Sequence, residues 1–112
     1  MIGCSEGRSS ANWVDFDFYG LQLVAHLAPD ECGHKSTGSV DGHEVKVRHF
    51  GAIISLSEWE ALATRCARLA SRSSSIRFKG ERGEQATMFF LDPSDNALEL
   101  KAFADLSQVF AK

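Results

Sequence analysis

The sequence predicts an α+β domain made of one complete β-α-β-β-β run and the last two strands of a second such run. Three observations carry this. Apolar residues mark six strands and a single amphipathic stretch at helical spacing. The elements follow the order β-β-loop-β-α-β-β-β. Two segments, VDFDFYGLQLVAHL and TMFFLDPSDNALELKAF, also share a plan: an aromatic strand, a turn, then a strand with a polar residue facing out of an apolar run. Gln22-Leu23 in the first corresponds to Glu99-Leu100 in the second.

Residues Met1 to Asn12 are small and polar, without periodicity, and read as an unanchored lead-in. From Trp13 to Tyr19 the chain alternates, with Val14, Phe16 and Phe18 on one side and Asp15 and Asp17 on the other. That is the pattern of a half-buried strand. Gly20 breaks it, and Leu21 to Ala28 forms a second strand closed by Pro29, so a tight hairpin is expected. Pro29 to Val40 collects Pro, Asp, Gly, Ser and Thr and reads as a loop.

A third strand is expected over Val45–Ser55. Ser57-Glu58-Trp59-Glu60 then matches a capping box, with Ser57 as N-cap and Glu60 reaching back. Trp59, Leu62, Cys66 and Leu69 follow at helical spacing, while Arg65, Arg68 and Arg72 lie on the outer face near the C-terminal end, where cations complement the helix dipole. Ser71 and Ser73 to Ser75 end this helix. Ile76–Lys79 is a short strand, Gly80 to Gly83 a turn, and Ala86–Leu91 a strand that stops at Asp92-Pro93-Ser94-Asp95-Asn96. Ala97–Phe103 is the last strand, and Asp105 to Lys112 adds a terminal helical turn.

The chain has 112 residues, a length that accommodates one domain rather than two independent ones. Eight Phe, two Trp and one Tyr supply enough bulk for a core, which argues against disorder. With 15 acidic and 12 basic residues and a net charge of −3, no basic stripe is present to neutralise a phosphate backbone, so nucleic-acid binding is not expected. No apolar run approaches the ~18–20 residues of a membrane span. The N-terminus lacks the apolar region of a signal peptide, so a cytoplasmic protein is expected. Three cysteines, Cys4, Cys32 and Cys66, are odd in number and far apart, which reads as reduced thiols. Cys66 on the apolar helix face reads as a small buried hydrophobe.

The segments His49-Phe50-Gly51, Ser57-Glu58-Trp59, Arg77-Phe78-Lys79-Gly80, Phe89-Phe90-Leu91-Asp92-Pro93 and Asn96-Ala97-Leu98-Glu99-Leu100 together resemble the vicinal oxygen chelate superfamily. That superfamily contains glyoxalase I, bleomycin-resistance proteins and extradiol dioxygenases, and the chain is most similar to its dioxygenase-like bacterial members. The resemblance runs from Trp13 to Asp105. It implies one domain of the glyoxalase/bleomycin-resistance/dioxygenase fold over residues 1–112, with a partial first module at 13–28 and a complete βαβββ second module at 45–104. In that family two modules enclose a cleft around one divalent metal, with ligands on the first and last strands of each. Carried across, His49 and Glu99 are metal ligands of the second module, and Gln22 falls at the last-strand ligand of the first. His26 follows four residues later on the same strand face and is assigned the acid–base role, or else replaces the ligand that the first module lacks, as water or a partner chain also would. The first strand and helix of the first module are not found in the sequence. The resemblance therefore implies an uncovered edge that a second copy would cover, and hence a homodimer.

The residues support a metal apart from the resemblance. His49 and Glu99 interrupt apolar stretches on separate strands and supply nitrogen and oxygen donors that, with one or two further His or Gln ligands, suit Fe(II), Mn(II), Zn(II) or Ni(II). A metal with open positions can act as a Lewis acid toward a small molecule with adjacent oxygens. The expected function is thus a metal-dependent enzyme resembling extradiol dioxygenases and glyoxalases. The alternative is a metal-free binding protein of the bleomycin-resistance type, holding a flat molecule against Trp13, Phe16, Phe18 and Phe90. A third reading is an oligomerisation module without catalysis. His49 also reads as a histidine satisfied by a core hydrogen bond, Glu99 as an outer-face residue like Lys101, and His26 as a plain strand histidine.

Other constellations are weaker. Cys32, His34 and His43 lack the paired spacing of a structural zinc site, so Pro29–Val40 is better read as a loop across a cleft mouth. Asp92 and Asp95 read as turn residues rather than an acid–base pair. Arg77, Lys79 and Arg82 could attract an anionic substrate. No phosphate-binding glycine motif or G-x-S-x-G elbow occurs.

Overall fold

The computed structural model describes residues 2–32, 37–40, 43–46, 48–68, 73–78 and 84–110. The chain divides into two compact units, Met1–Cys32 and Gly33–Lys112.

The first unit is a three-stranded antiparallel sheet of β1 (Glu6–Ser9), β2 (Trp13–Phe18) and β3 (Leu21–His26), in the order β1-β2-β3. β1 lies where the sequence reads as an unpatterned lead-in. All four of its residues are exposed, so backbone pairing to β2 rather than side-chain burial creates the strand, and hydrophobic periodicity cannot reveal it. The β2–β3 hairpin turns through two residues, Tyr19 and Gly20, rather than through one glycine. Both have positive φ, 54° and 80°, which matches a type I′ turn, and Asp17 Oδ1 accepts the Gly20 N–H at 2.8 Å. Directly paired residues share a face, so Trp13, Asp15 and Asp17 project with His26, Val24 and Gln22. Val14, Phe16 and Phe18 project from the other side.

Asp15 departs from the expected outward placement, being only 7% exposed. Its burial is tolerated because Gln22 Nε2 donates to Oδ2 at 3.0 Å and Arg8 Nε lies 3.6 Å from the same oxygen.

In the second unit, part of the stretch expected to be a loop is a hairpin: β4 (Thr37–Val40) pairs with β5 (His43–Lys46), and Thr37 Oγ1 donates to Glu44 Oε2 at 2.5 Å. The long third strand expected over Val45–Ser55 is therefore two strands, β5 and β6 (His49–Ile53). Upstream, Pro29–Glu31 is a 3-10 turn.

β6, helix α1 (Leu56–Arg68), β7 (Ser73–Phe78), β8 (Gln85–Leu91) and β9 (Ala97–Phe103) make the expected β-α-β-β-β run, in a sheet of order β6-β9-β8-β7. β6 is parallel to β9 and the other pairs are antiparallel. The helix is capped two residues earlier than expected and begins at Leu56. Ser55, not Ser57, is the N-cap: Glu58 N–H donates to Ser55 Oγ at 3.3 Å, and Glu58 Oε2 accepts the Ser55 amide at 3.0 Å and its hydroxyl at 2.6 Å. Overlapping S-x-x-E matches begin at Ser55 and Ser57. The earlier one places Ile54 and Trp59, both buried, at the two positions of a hydrophobic staple. Ser73 to Ser75, expected to end the helix, belong to β7; residues 69–72 lie outside the described residues.

The two faces of this sheet differ. Ala86, Met88, Phe90, Leu98, Leu100 and Ala102 project to one side and, with Trp59, Leu62 and Cys66 of α1, form the core. Trp59 Nε1 donates to the Leu100 carbonyl at 3.2 Å, so the indole's one polar atom is satisfied inside it. Cys66 is 2% exposed, as expected of a small buried hydrophobe, and the described cysteines are free thiols. The β8–β9 turn is closed by Asp92: its Oδ1 accepts the Ser94 and Asn96 amides at 2.8 Å, and its Oδ2 accepts Asn96 Nδ2 at 2.8 Å. These bonds, with Asp95 at φ 65°, make the segment a turn rather than an acid–base pair. The chain ends in a 3-10 turn, Leu106–Gln108, capped by Asp105. No described helix is long and apolar enough to cross a membrane.

Candidate functional site

Opposite the helix, the four-stranded sheet presents a mixed face. β6 contributes His49, Gly51 and Ile53; β8 contributes Thr87 and Phe89; β9 contributes Glu99 and Lys101. The register explains why these meet. Gly51 pairs with Glu99 across the parallel strands, Phe89 pairs with Glu99 and Thr87 with Lys101 across the antiparallel ones. Period-2 alternation then sends all of them to the side away from α1.

His49 Nε2 stands 3.5 Å from Glu99 Oε2. The other ring nitrogen, Nδ1, is 2.6 Å from the main-chain oxygen of Lys46. A carbonyl oxygen only accepts, so Nδ1 carries the hydrogen and donates it, and a neutral ring turns its Nε2 lone pair toward the carboxylate. Two acceptors facing one another repel unless a proton or a cation lies between them. Donors about 2.0–2.2 Å from one ion, at tetrahedral or octahedral angles, lie about 3–3.6 Å apart, so the pair fits two ligands of a divalent metal. An imidazole whose far nitrogen is tied to a backbone carbonyl is also how metal-binding histidines are held. The His49 ring meets Phe89 edge to face, with ring centroids 5.3 Å apart and planes at 83°, which further limits its rotation.

Glu99 is held as firmly. Thr87 Oγ1 donates to Oε1 at 2.6 Å, and Lys101 Nζ is 3.4 Å from the same oxygen. Thr87 is itself buried, and the Glu99 side chain is 15% exposed against 38% for Lys101. Both oxygens therefore have assigned directions, Oε1 toward Thr87 and Lys101 and Oε2 toward His49.

The sequence-predicted residues thus fall into two sets. His49 and Glu99 come together. Gln22 and His26 lie in the first unit, on one face of β3 as expected from their spacing; Gln22 is tied through Nε2 to Asp15, and His26 pairs across the sheet with Trp13. Among the described residues no group of three or more His, Cys, Asp or Glu side chains gathers to hold a metal. His34 lies outside the described residues, as do Lys79, Arg82 and the side chains of His43 and Arg77. Cys32 is exposed and its Sγ donates to the Ala28 carbonyl at 3.4 Å.

Trp13, Phe16, Phe18 and Phe90, expected to hold a flat molecule, differ in exposure and in strand face. Phe90 and Phe18 are core residues, 2% and 3% exposed, and Phe16 and Phe18 project from the side of β2 opposite Trp13. The aromatic ring on the His49 face is Phe89. Sequence reasoning also missed Thr87, although a hydroxyl inside the apolar run ATMFFL is a signal that something polar faces it.

No family model matches the sequence, and no curated protein matches it. Solved structures do. The chain is similar to a glyoxalase/bleomycin resistance protein/dioxygenase from Alicyclobacillus acidocaldarius, with 27% identity over 97% of this chain and 80% of that one, at a TM-score of 0.77. It is similar in fold to the fosfomycin resistance protein FosX from Listeria monocytogenes in complex with Mn(II) and sulfate, with 18% identity, covering 96% of this chain and 75% of that one, at a TM-score of 0.67. A lactoylglutathione lyase from Agrobacterium tumefaciens gives 16% identity over 89% of this chain and 75% of that one, at a TM-score of 0.61. The fold class read from the sequence is the fold of these proteins.

Proposed function

The chain belongs to the vicinal oxygen chelate superfamily, and on that premise we propose that it is a metal-dependent enzyme acting on a small molecule with two adjacent oxygen atoms, with His49 and Glu99 as metal ligands. The observation that carries the proposal is the facing pair itself: Nε2 and Oε2 at 3.5 Å, each oriented by a partner on its far side. A bound Fe(II), Mn(II), Zn(II) or Ni(II) would supply Lewis acidity toward the substrate oxygens. The chain's own residues do the rest. The Lys46 carbonyl and Phe89 hold the imidazole, Thr87 holds the carboxylate, and Ile53 and Phe89 give the face an apolar flank for the substrate's carbon frame. The Mn(II) complex of the FosX neighbour supports a metal of this class.

The proposal extends to Gln22 as a further donor and His26 as the acid–base group, on the strength of the resemblance. Their common face on β3 agrees with it. A cytoplasmic homodimer belongs to the same reading. A metal-free binding protein is the second reading, favoured by the apolar flank of Phe89 and Ile53 beside the charged pair.

Elemental analysis of the protein as purified, and after anaerobic Fe(II) or Mn(II) loading and desalting, tests the proposal. Near-stoichiometric metal that falls away in the H49A and E99A variants, with their circular dichroism unchanged, is the expected result. Unchanged metal content in both variants rejects His49 and Glu99 as ligands. Micromolar ligand affinity that survives EDTA would move the assignment to the binding protein.

A further inference from the structure

We infer that Thr87 is a positioning residue that makes Glu99 a one-oxygen ligand and so keeps a coordination position open for substrate. The inference rests on the metal reading above and concerns how that site is shaped. A free glutamate can turn about its terminal torsion and chelate a cation through both oxygens, filling two positions. Here Oε1 is engaged by two other side chains. Oε1 accepts the Thr87 hydroxyl at 2.6 Å, a distance typical of a strong hydrogen bond to a carboxylate. Lys101 Nζ adds its charge to the same oxygen from 3.4 Å. Only Oε2 is turned to His49.

The clamp is built from the sheet rather than from a loop. Thr87 sits on β8, one register step from Phe89, which pairs directly with Glu99, and it is 7% exposed, so water competes little for Oε1. Its χ1 is stiff because it is β-branched, which fixes where the hydroxyl can point. Of the two contacts to Oε1, the buried hydroxyl dominates, since Lys101 is a half-exposed amine whose pull is screened by solvent. A substrate with two adjacent oxygens needs two neighbouring open positions, and a chelating Glu99 would remove one.

The test compares wild type, T87V and T87S by Mn(II) affinity and by water-proton relaxation of the saturated Mn(II) complex. T87V keeps the side-chain shape and deletes the hydroxyl; T87S restores the hydroxyl. The expected result is a Mn(II) affinity in T87V no weaker than wild type, since the freed carboxylate gains a second oxygen on the ion, and within a few-fold of wild type in T87S. At saturation T87V should also show lower relaxation per bound ion, because a chelating carboxylate displaces a water. Should T87V fail to give a cooperative melt, T87A takes its place with the same expectation. Wild-type relaxation per bound ion in the hydroxyl-less variant overturns the clamp alone. A wild type that takes up no Mn(II) overturns the metal reading and the clamp with it.

Discussion

Gly51 and Glu99 face each other across the parallel pair β6–β9 so closely that a Cβ built on Gly51 would lie 1.6 Å from the Glu99 carbonyl oxygen. The site therefore depends on a residue with no side chain. Any other residue at 51 must push the two strands apart, and those strands carry the two candidate ligands.

The first prediction follows from that contact. G51A should destabilise the protein by at least the ~1–3 kcal/mol typical of overpacking, because the obstructing atoms are backbone and cannot rotate away. For a domain of this size each kcal/mol lowers Tm by roughly 4–8 °C. Metal uptake should fall together with stability. Calorimetry on G51A that matches wild type would show that the strands are not in this contact.

The helix start offers a second. S55A removes the cap and should cost about 1 kcal/mol by urea unfolding, while S57A should cost little, since Ser55 and not Ser57 holds the first turn.

A third concerns pH at the same cap. Hydrogen bonds from the Ser55 hydroxyl and amide hold the exposed Glu58 carboxyl below the ordinary glutamate value. A carboxyl lowered on folding contributes fully above its unfolded value, and the contribution fades as pH falls through the folded one. The stability difference between wild type and E58Q should accordingly be present at neutral pH and disappear on acidification through the carboxylate range. A difference that grows in acid would contradict the hydrogen bonds seen here.

Trp59 gives a fourth. W59F loses the indole bond to the Leu100 carbonyl and leaves a small void in the core beneath the sheet. The cost should be about 1–3 kcal/mol, combining the lost indole hydrogen bond with lost packing. Urea denaturation followed by circular dichroism measures it.

The first unit gives a fifth. D15A strands the Gln22 amide and empties a buried position, so it should cost about 1–3 kcal/mol. R8A removes only a 3.6 Å contact from a side chain that is 83% exposed, and should change stability by less than ~0.5 kcal/mol. Equal effects of the two variants would mean that Arg8, not Gln22, is what satisfies Asp15.

What the sequence by itself determined is the periodic part. The aromatic strand of the first unit, the amphipathic helix with Cys66 inside, the strands at 86–91 and 97–103, the Asp92 turn and the β-α-β-β-β order were all legible, because alternation, helical spacing and turn chemistry are local properties. His49 and Glu99 stood out for the same reason, as polar breaks in apolar strands. Only tertiary structure decided the rest. β1 exists through backbone pairing that leaves no hydrophobic signature, and β4 pairs with β5 inside a stretch whose turn-forming residues read as a loop. The choice between two overlapping capping boxes turned on which start buries Ile54 and Trp59. Phe89 rather than Phe90 faces the ligand pair because register, a cross-strand property, sets which of two adjacent rings goes under the helix. Thr87 acquires its role for the same reason: twelve residues separate it from Glu99 in the chain, and only the β8–β9 ladder brings its hydroxyl to that carboxylate.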